Sequence, residues 1–205
     1  MLARNSVLSS SYVRFYKRLS DIVLSLLVIT LVLSWLLPFV SMIIVLTSFQ
    51  KPIYFQKRVG HKGIIFTMYK FTTMKGPSAV RYPVLSDSEL LRITSFGSFL
   101  RKYHIDEFPQ FINVLLGQMS IIGPRPERSY FLNQLHRENK NFTNLLLLRP
   151  GISSIGQIYF GYAFNLEQMK TRARYDLIYL NNISLFVDIR LILKTFCILH
   201  KGLGK

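Results

Sequence analysis

Residues 22–50 read IVLSLLVITLVLSWLLPFVSMIIVLTSFQ, with no charged side chain between Asp21 and Lys51. As one helix the stretch would measure about 43 Å at 1.5 Å per residue, against a hydrocarbon core roughly 30 Å thick. It is long enough to cross a bilayer. It is too long, and lacks the small-residue cleavage pattern, for a removable signal peptide. Pro38 complicates a plain crossing. Its nitrogen has no hydrogen to give the carbonyl of Ser34, so a kink is predicted there, with the Ser34 hydroxyl placed to help satisfy the disrupted turn. The arms on either side reach about 24 and 18 Å, each short of the core thickness. Arg14, Lys17 and Arg18 precede the run, and Lys51, Lys57, Arg58 and Lys62 follow it. Basic residues mark the cytoplasmic side, and here they stand on both flanks. Two arrangements remain open from these residues: a kinked transmembrane helix followed by a basic domain, or a re-entrant helix that bends near Pro38 and leaves by the face it entered.

Outward from this run the chain is globular in composition. Its 205 residues are half hydrophobic, and 26 lysines and arginines oppose 10 acids for a formal charge of +16. That length allows one domain, or one domain plus an anchor; the division expected is residues 1–50 and 51–205. The apolar content excludes a disordered chain. Cys197, the single cysteine, excludes a disulfide scaffold and a multi-cysteine zinc site. High positive charge beside high hydrophobicity points to a polyanion held near an apolar phase: anionic lipid, nucleic acid or a phosphorylated substrate.

The pattern after Gln50 predicts a mostly helical α/β (α+β) domain. Tyr54-Phe55 and Ile64–Phe66 read as short strands around the turn Gly60–Gly63, and Gly76-Pro77 opens a loop to about Asp87. A helix is expected over part of 88–101, broken near Gly97. Another is expected from Pro109 to Gly117, bracketed by proline at its start and glycine past its end. Residues 127–148 read as helix, Ile155–Tyr159 as a strand, and Glu167–Leu180 and Leu185–His200 as the last helices. The final helix carries Arg190, Lys194 and Lys201 roughly on one face and apolar residues elsewhere. It suits a membrane surface and equally suits packing on the core.

Acids are scarce, which makes Asp106-Glu107 conspicuous. Phe108 precedes a proline and is expected to leave helical geometry, so the pair is expected at or just before a helix N-terminus, where backbone N–H groups favour anions. Two adjacent carboxylates can also hold a hard cation such as magnesium. Arg101, Arg125 between two prolines, and Lys70 can build a cationic pocket around them, as phosphoryl transfer requires. Other site classes fail. There is no phosphate-binding glycine loop, no dinucleotide fingerprint, no zinc-protease histidine spacing, no serine elbow and no nucleic-acid motif.

The residues Leu100-Arg101-Lys102-Tyr103-His104-Ile105-Asp106-Glu107-Phe108-Pro109-Gln110, continuing through Asn113-Val114-Leu115 and Gly117–Ser120 to Gly123-Pro124-Arg125-Pro126-Glu127, resemble the bacterial sugar transferases, the monotopic polyprenyl-phosphate phosphoglycosyltransferases. Lys17-Arg18 with Asp21, Arg58-Val59-Gly60, Tyr69-Lys70-Phe71 with Thr73-Met74, Arg149–Ile152, and Asn182 with Ser184 and Asp188 extend the likeness over nearly the whole chain. The resemblance implies transfer of a sugar 1-phosphate from a UDP-sugar donor to a polyprenyl phosphate such as undecaprenyl phosphate, with release of UMP. It implies a ping-pong route with an aspartate nucleophile and Mg2+. Asp106 would carry the phosphosugar and Glu107 the metal. Lys70, Arg101, Arg125, Asp188 and Gln157 would serve substrate and phosphate binding, and Ser34 and Pro38 would mark the membrane-helix break. The family's helix enters and leaves on the cytoplasmic side, which implies a bacterial inner-membrane location, contact with membrane lipids and no nucleic acid. Homo-oligomerisation is left open by Leu145–Leu148, which suit a self-association surface or the core. There are departures from the family pattern: Thr72 and Lys57 differ from common residues, no serine directly precedes Pro38, and Gly161-Tyr162 stands where Gly-Arg is common. The rival reading is a non-enzymatic, membrane-anchored basic module that binds anionic lipid or nucleic acid.

Overall fold

The computed structural model describes residues 12–76 and 91–202. The expected loop through Asp87 and the start of the expected helix at Ser88 lie outside them. After a π-helical turn at Tyr12–Tyr16, helix α1 spans Lys17–Ser48. The helix runs on through Pro38. Its departure from α geometry comes earlier, in a π-helical section at Ile29–Leu33, where the Ser34 N–H reaches back to the Ile29 carbonyl. The Ser34 hydroxyl donates to the Thr30 carbonyl at 2.8 Å, one turn upstream, and so does not fill the gap left by Pro38. A left-handed Phe49 ends the helix.

One stripe of α1 is buried along its whole length. Lys17, Asp21, Ser25, Leu33, Val40 and Ile44 are covered, and Ile29, Leu36 and Leu37 pack in the same line. The repeat of three and four residues is that of one helix face. Leu33, Val40 and Ile44 share a core with Phe71 and Leu100 of the globular part. The opposite face carries exposed Leu27, Leu31, Trp35, Phe39, Met42 and Leu46.

Strands β1 (Ile53–Val59) and β2 (Ile65–Phe71) form an antiparallel hairpin pairing Tyr54 with Lys70. Lys70 thus lies inside β2. Helix α2 (Ser95–Lys102) starts on a Thr94 cap. Gly97 does not break it. A side chain there would meet the Thr73 carbonyl at 2.2 Å, so glycine lets the helix press against that backbone. A 3-10 turn at Ile105–Glu107 leads into α3 (Gln110–Leu115). Phe108 stays helical at φ −56°, ψ −36°, against the expectation from Pro109, because the 3-10 turn continues directly into α3.

Strand β3 (Ser120–Ile122) pairs in parallel with β4 (Gly151–Ser153). Between them the expected single helix is two pieces, α4 (Ser129–Glu138) and a 3-10 stretch at Lys140–Leu147, separated at extended Asn139, whose side chain caps the second piece. The strand expected at 155–159 is helix α5 (Ile155–Tyr159), capped by Ser154. Helices α6 (Leu166–Asn181) and α7 (Leu185–Lys201) close the fold, each on a side-chain N-cap, Asn165 and Ser184.

Partly buried polar contacts from Arg18 and Asp21 join α1 to this domain. Arg18 donates to the Val114 and Leu115 carbonyls at 2.6 and 2.9 Å, and Arg149 to the Gly117 carbonyl at 2.9 Å. Both cations thereby sit at the C-terminal end of α3, where the helix dipole favours them. Asp21 accepts the Ile121 N–H at 3.0 Å. Helix α7 packs on the core by one face and leaves apolar residues exposed on another. Leu191 is core, while Leu185, Phe186, Ile189, Leu193 and Phe196 are exposed. Leu148 is buried and Leu145 packs beside Leu135 and Phe142, whereas Leu147 is exposed.

Candidate active site

Asn113 sets the relation between β2 and α3. It is fully buried, accepts the Tyr69 N–H at 3.0 Å and donates to the Thr67 carbonyl and to Gln118, each at 2.7 Å. The side chain satisfies the free edge of β2 as a neighbouring strand would. The adjacent Lys70 is thereby delivered to Glu107, whose Oε1 it meets at 2.5 Å. Lys70, Glu107, Gln110, Arg125, Arg58 and Gly151 line one narrow cleft, which in this structure is closed too tightly to admit a water molecule.

Arg101 enters from α2, with its Nε donating to Thr73 Oγ1 at 2.8 Å. Arg125 enters from the turn after β3. Its backbone N–H donates to Asp176 Oδ2 at 3.1 Å, and Asp176 Oδ1 accepts the Gly156 N–H at 2.9 Å. One buried carboxylate therefore braces the Arg125 turn against the start of α5. Below them Glu127 meets Arg172 at 2.5 Å and Arg58 at 3.9 Å.

The electrostatics separate the two adjacent acids. Burial pushes Asp106 up to about 6, with Lys70 and Arg101 pulling down and the Glu107 charge adding to the rise. Burial would raise Glu107 too, but Lys70 and Arg125 outweigh it and hold Glu107 well below the usual carboxylate range. Burial alone would lower Arg125. Glu107, Glu127, Tyr162 and Asp176 reverse that and hold it protonated. Burial, with Arg125 and Lys70, lowers His104 despite Glu107, which keeps the imidazole neutral at pH 7. His104 has left-handed φ of 52° and stacks on Tyr162, 6.4 Å between centroids with 9° between planes.

The donor set suits magnesium in one particular way. Among the described residues no group of three or more His, Cys, Asp or Glu side chains is gathered for a metal. Asp106 and Glu107 supply two carboxylates, one of whose oxygens already faces Lys70. Magnesium characteristically takes one or two carboxylates and completes its shell with water and substrate phosphates, and this pair fits that mode.

The structure thus brings Lys70, Glu107 and Arg125 onto one cleft, with Asp106 and Arg101 electrostatically linked to it. Gln157 lies on α5, and its Oε1 is buried without a hydrogen-bond partner. Asp188 is placed differently. Its Oδ2 receives Lys17 at 2.6 Å and Tyr12 at 2.7 Å, and its Oδ1 receives Tyr179 at 2.6 Å. Those partners join α7 to the start of α1 and include none of the residues around Asp106. Four neighbours were not read as site residues from sequence: Thr73, His104, Gln110 and Tyr162. The first three sit inside or beside quoted motifs, and Tyr162 is the departure after Gly161.

Residues 12–202 match the family described as bacterial sugar transferase, and the chain belongs to that family. It is 36% identical over 97% of its length to the UDP-N-acetylgalactosamine-undecaprenyl-phosphate N-acetylgalactosaminephosphotransferase of Aeromonas hydrophila, covering 47% of that protein. It is 35% identical over 88% of its length to the UDP-glucose:undecaprenyl-phosphate glucose-1-phosphate transferase of Klebsiella pneumoniae, covering 39% of it. It is 32% identical over 89% of its length to the undecaprenyl-phosphate galactose phosphotransferase of Salmonella typhimurium, covering 40% of it. The chain therefore spans less than half the length of these relatives. The family assignment does not favour the basic-module reading.

Proposed function

We propose that this chain is a phosphoglycosyltransferase that moves a sugar 1-phosphate from a UDP-sugar to a polyprenyl phosphate such as undecaprenyl phosphate, starting a glycan on a lipid carrier. The observation that carries the reading is the gathering of Lys70 and Arg125 around Glu107, with Lys70 Nζ 2.5 Å from its Oε1; burial raises the neighbouring Asp106 to about 6. A carboxylate with that affinity is ionised at pH 7 and is a better nucleophile than an ordinary surface acid.

In the first step an Asp106 oxygen attacks the phosphorus that bears the sugar. The bond from that phosphorus to the bridging oxygen breaks, and UMP leaves with the electron pair. An acyl phosphate now joins Asp106 to the phosphosugar. In the second step an oxygen of the lipid phosphate attacks the same phosphorus and Asp106 departs as a carboxylate. The product is a polyprenyl diphosphate sugar. Arg101, Arg125 and Lys70 neutralise the phosphate oxygens in both steps, which is most of what catalysis of phosphoryl transfer demands. Mg2+ held by Glu107 would supply further neutralisation of the diphosphate. The relatives named above act on different sugars, so the donor sugar is not assigned.

We further propose that α1 dips into the cytoplasmic leaflet of the bacterial inner membrane and leaves by the same face. The buried stripe supports this, because residues on both sides of Pro38 pack on one globular domain. A span would carry its far end about 30 Å away, across the bilayer. Basic flanks at both ends support it too. The exposed apolar face of α7, with Arg190 and Lys194 beside it, suits the headgroup boundary, where the phosphate of a long-chain lipid must remain.

The test is turnover of full-length protein in detergent with a panel of UDP-sugars and undecaprenyl phosphate, following UMP with and without magnesium. Donor alone should leave a phosphosugar adduct on the peptide holding Asp106. Turnover without that adduct at any time would remove the covalent route. Cysteines introduced at Ser20 and Lys62 should both resist an impermeant label applied to intact cells; labelling of one alone means a span.

A further inference from the structure

Gln110 sits in the cleft beside Glu107, and it is 2% exposed. Its Nε2 is buried with no hydrogen-bond partner. A buried donor left unmade costs about 1–3 kcal/mol, and such groups are rare enough to require a reason. The other cleft-lining polar groups show what kind of partner is missing. Lys70 and Arg125 are cations held protonated or paired around Glu107, and Arg58 is committed to Gln56, to the Pro126 carbonyl at 3.0 Å and to Glu127. The Arg125 backbone is fixed by Asp176. A group that satisfies the amide must therefore accept a hydrogen bond in a strongly positive setting beside one carboxylate. A phosphate oxygen meets both conditions.

We propose that Gln110 is a phosphate-contacting residue of this site, its amide N–H donating to a non-bridging phosphate oxygen held between Lys70 and Arg125. This rests on the function proposed above for the same cleft. The amide adds no charge. It can follow the phosphate from donor to covalent intermediate to product without strengthening the electrostatic hold that would slow release. Its orphaned state is a stability cost kept for binding, as at other functional sites.

The test measures the affinity of full-length protein in detergent for inorganic pyrophosphate at constant magnesium, together with the unfolding temperature of the unliganded protein. Gln110→Met keeps the bulk and removes the orphan donor. It should weaken pyrophosphate at least tenfold and raise the unliganded unfolding temperature by about 2–4 °C. Gln110→Glu keeps the shape and places a second acid in the cleft, and should weaken pyrophosphate further. Unchanged affinity in either variant overturns the proposal. So does a lower unliganded unfolding temperature in Gln110→Met, which marks a purely structural side chain. Failure of the wild-type protein to release UMP from any UDP-sugar would remove the transferase reading alone, since the pyrophosphate measurement does not depend on turnover.

Discussion

Lys70 Nζ meets Glu107 Oε1 at 2.5 Å although 37 positions separate them in sequence. Through that contact two neighbouring carboxyls become different acids. Glu107 stays ionised far into acid, while burial, with the Glu107 charge adding to it, keeps a proton on Asp106 up to about pH 6.

The rate of UMP release should therefore climb with pH through about 6 and level off above 7, as Asp106 loses its proton. Lys70→Met removes the cation that lowers both acids. The climbing limb should move to higher pH, and the rate at pH 7 should fall by about 100-fold or more. Initial rates from pH 5 to 8.5 read both effects. A limb that stays in place in the variant would separate Lys70 from the acid pair.

Asp106→Asn should abolish turnover and stabilise the fold, with a definite pH dependence. A raised carboxyl favours the folded state fully below its unfolded value near 4, and that contribution is lost as pH rises through about 6. The asparagine variant has no such loss. The two proteins should unfold alike below pH 4, and above pH 6.5 the variant should be more stable by about 1–3 kcal/mol. Asp176, also raised to about 6 by burial, contributes the same slope in both and cancels. Thermal unfolding in detergent at pH 4, 5.5 and 7 measures the difference.

Asp188→Ala should behave as a structural lesion. It leaves Lys17 buried without its carboxylate and strips Tyr12 and Tyr179 of an acceptor. Breaking one side of a buried pair costs about 3–5 kcal/mol. At a temperature where the variant is still folded, KM for the donor should match wild type. A raised KM with unchanged stability would put Asp188 on the substrate.

Gly97→Ala should act on Arg101 at a distance. The added carbon falls 2.2 Å from the Thr73 carbonyl, so α2 or the Thr73 backbone must move. The expected cost is about 1–3 kcal/mol, with a fall in kcat as the Thr73–Arg101 contact is displaced. Normal unfolding and normal kcat together would mean that the contact is slack.

Much of the site was legible because its charged members lie in distinctive local sequence. Asp106-Glu107 stands between cations in a chain poor in acids, and Arg125 sits between two prolines. Gln110 was not legible as a ligand-contacting group, since an unmade hydrogen bond depends on what surrounds the amide. The partners of Asp188 (Lys17, Tyr12 and Tyr179) were not legible for a similar reason: a bare carboxylate in sequence does not reveal them. Strands β3 and β4 have three residues each, too short for alternation to register. The segment 155–159 was ambiguous by periodicity. Its Ser154–Gln157 spacing, a capping-box pattern, held the helical signal that the apolar residues obscured.

The stripe from Lys17 to Ile44 has a practical consequence for how this protein can be handled. Leu33, Val40 and Ile44 do not tether a self-sufficient body; they are one wall of the chamber that also holds Phe71 and Leu100. A truncation beginning at residue 51 would bare that wall and yield an insoluble remnant, not a water-soluble enzyme.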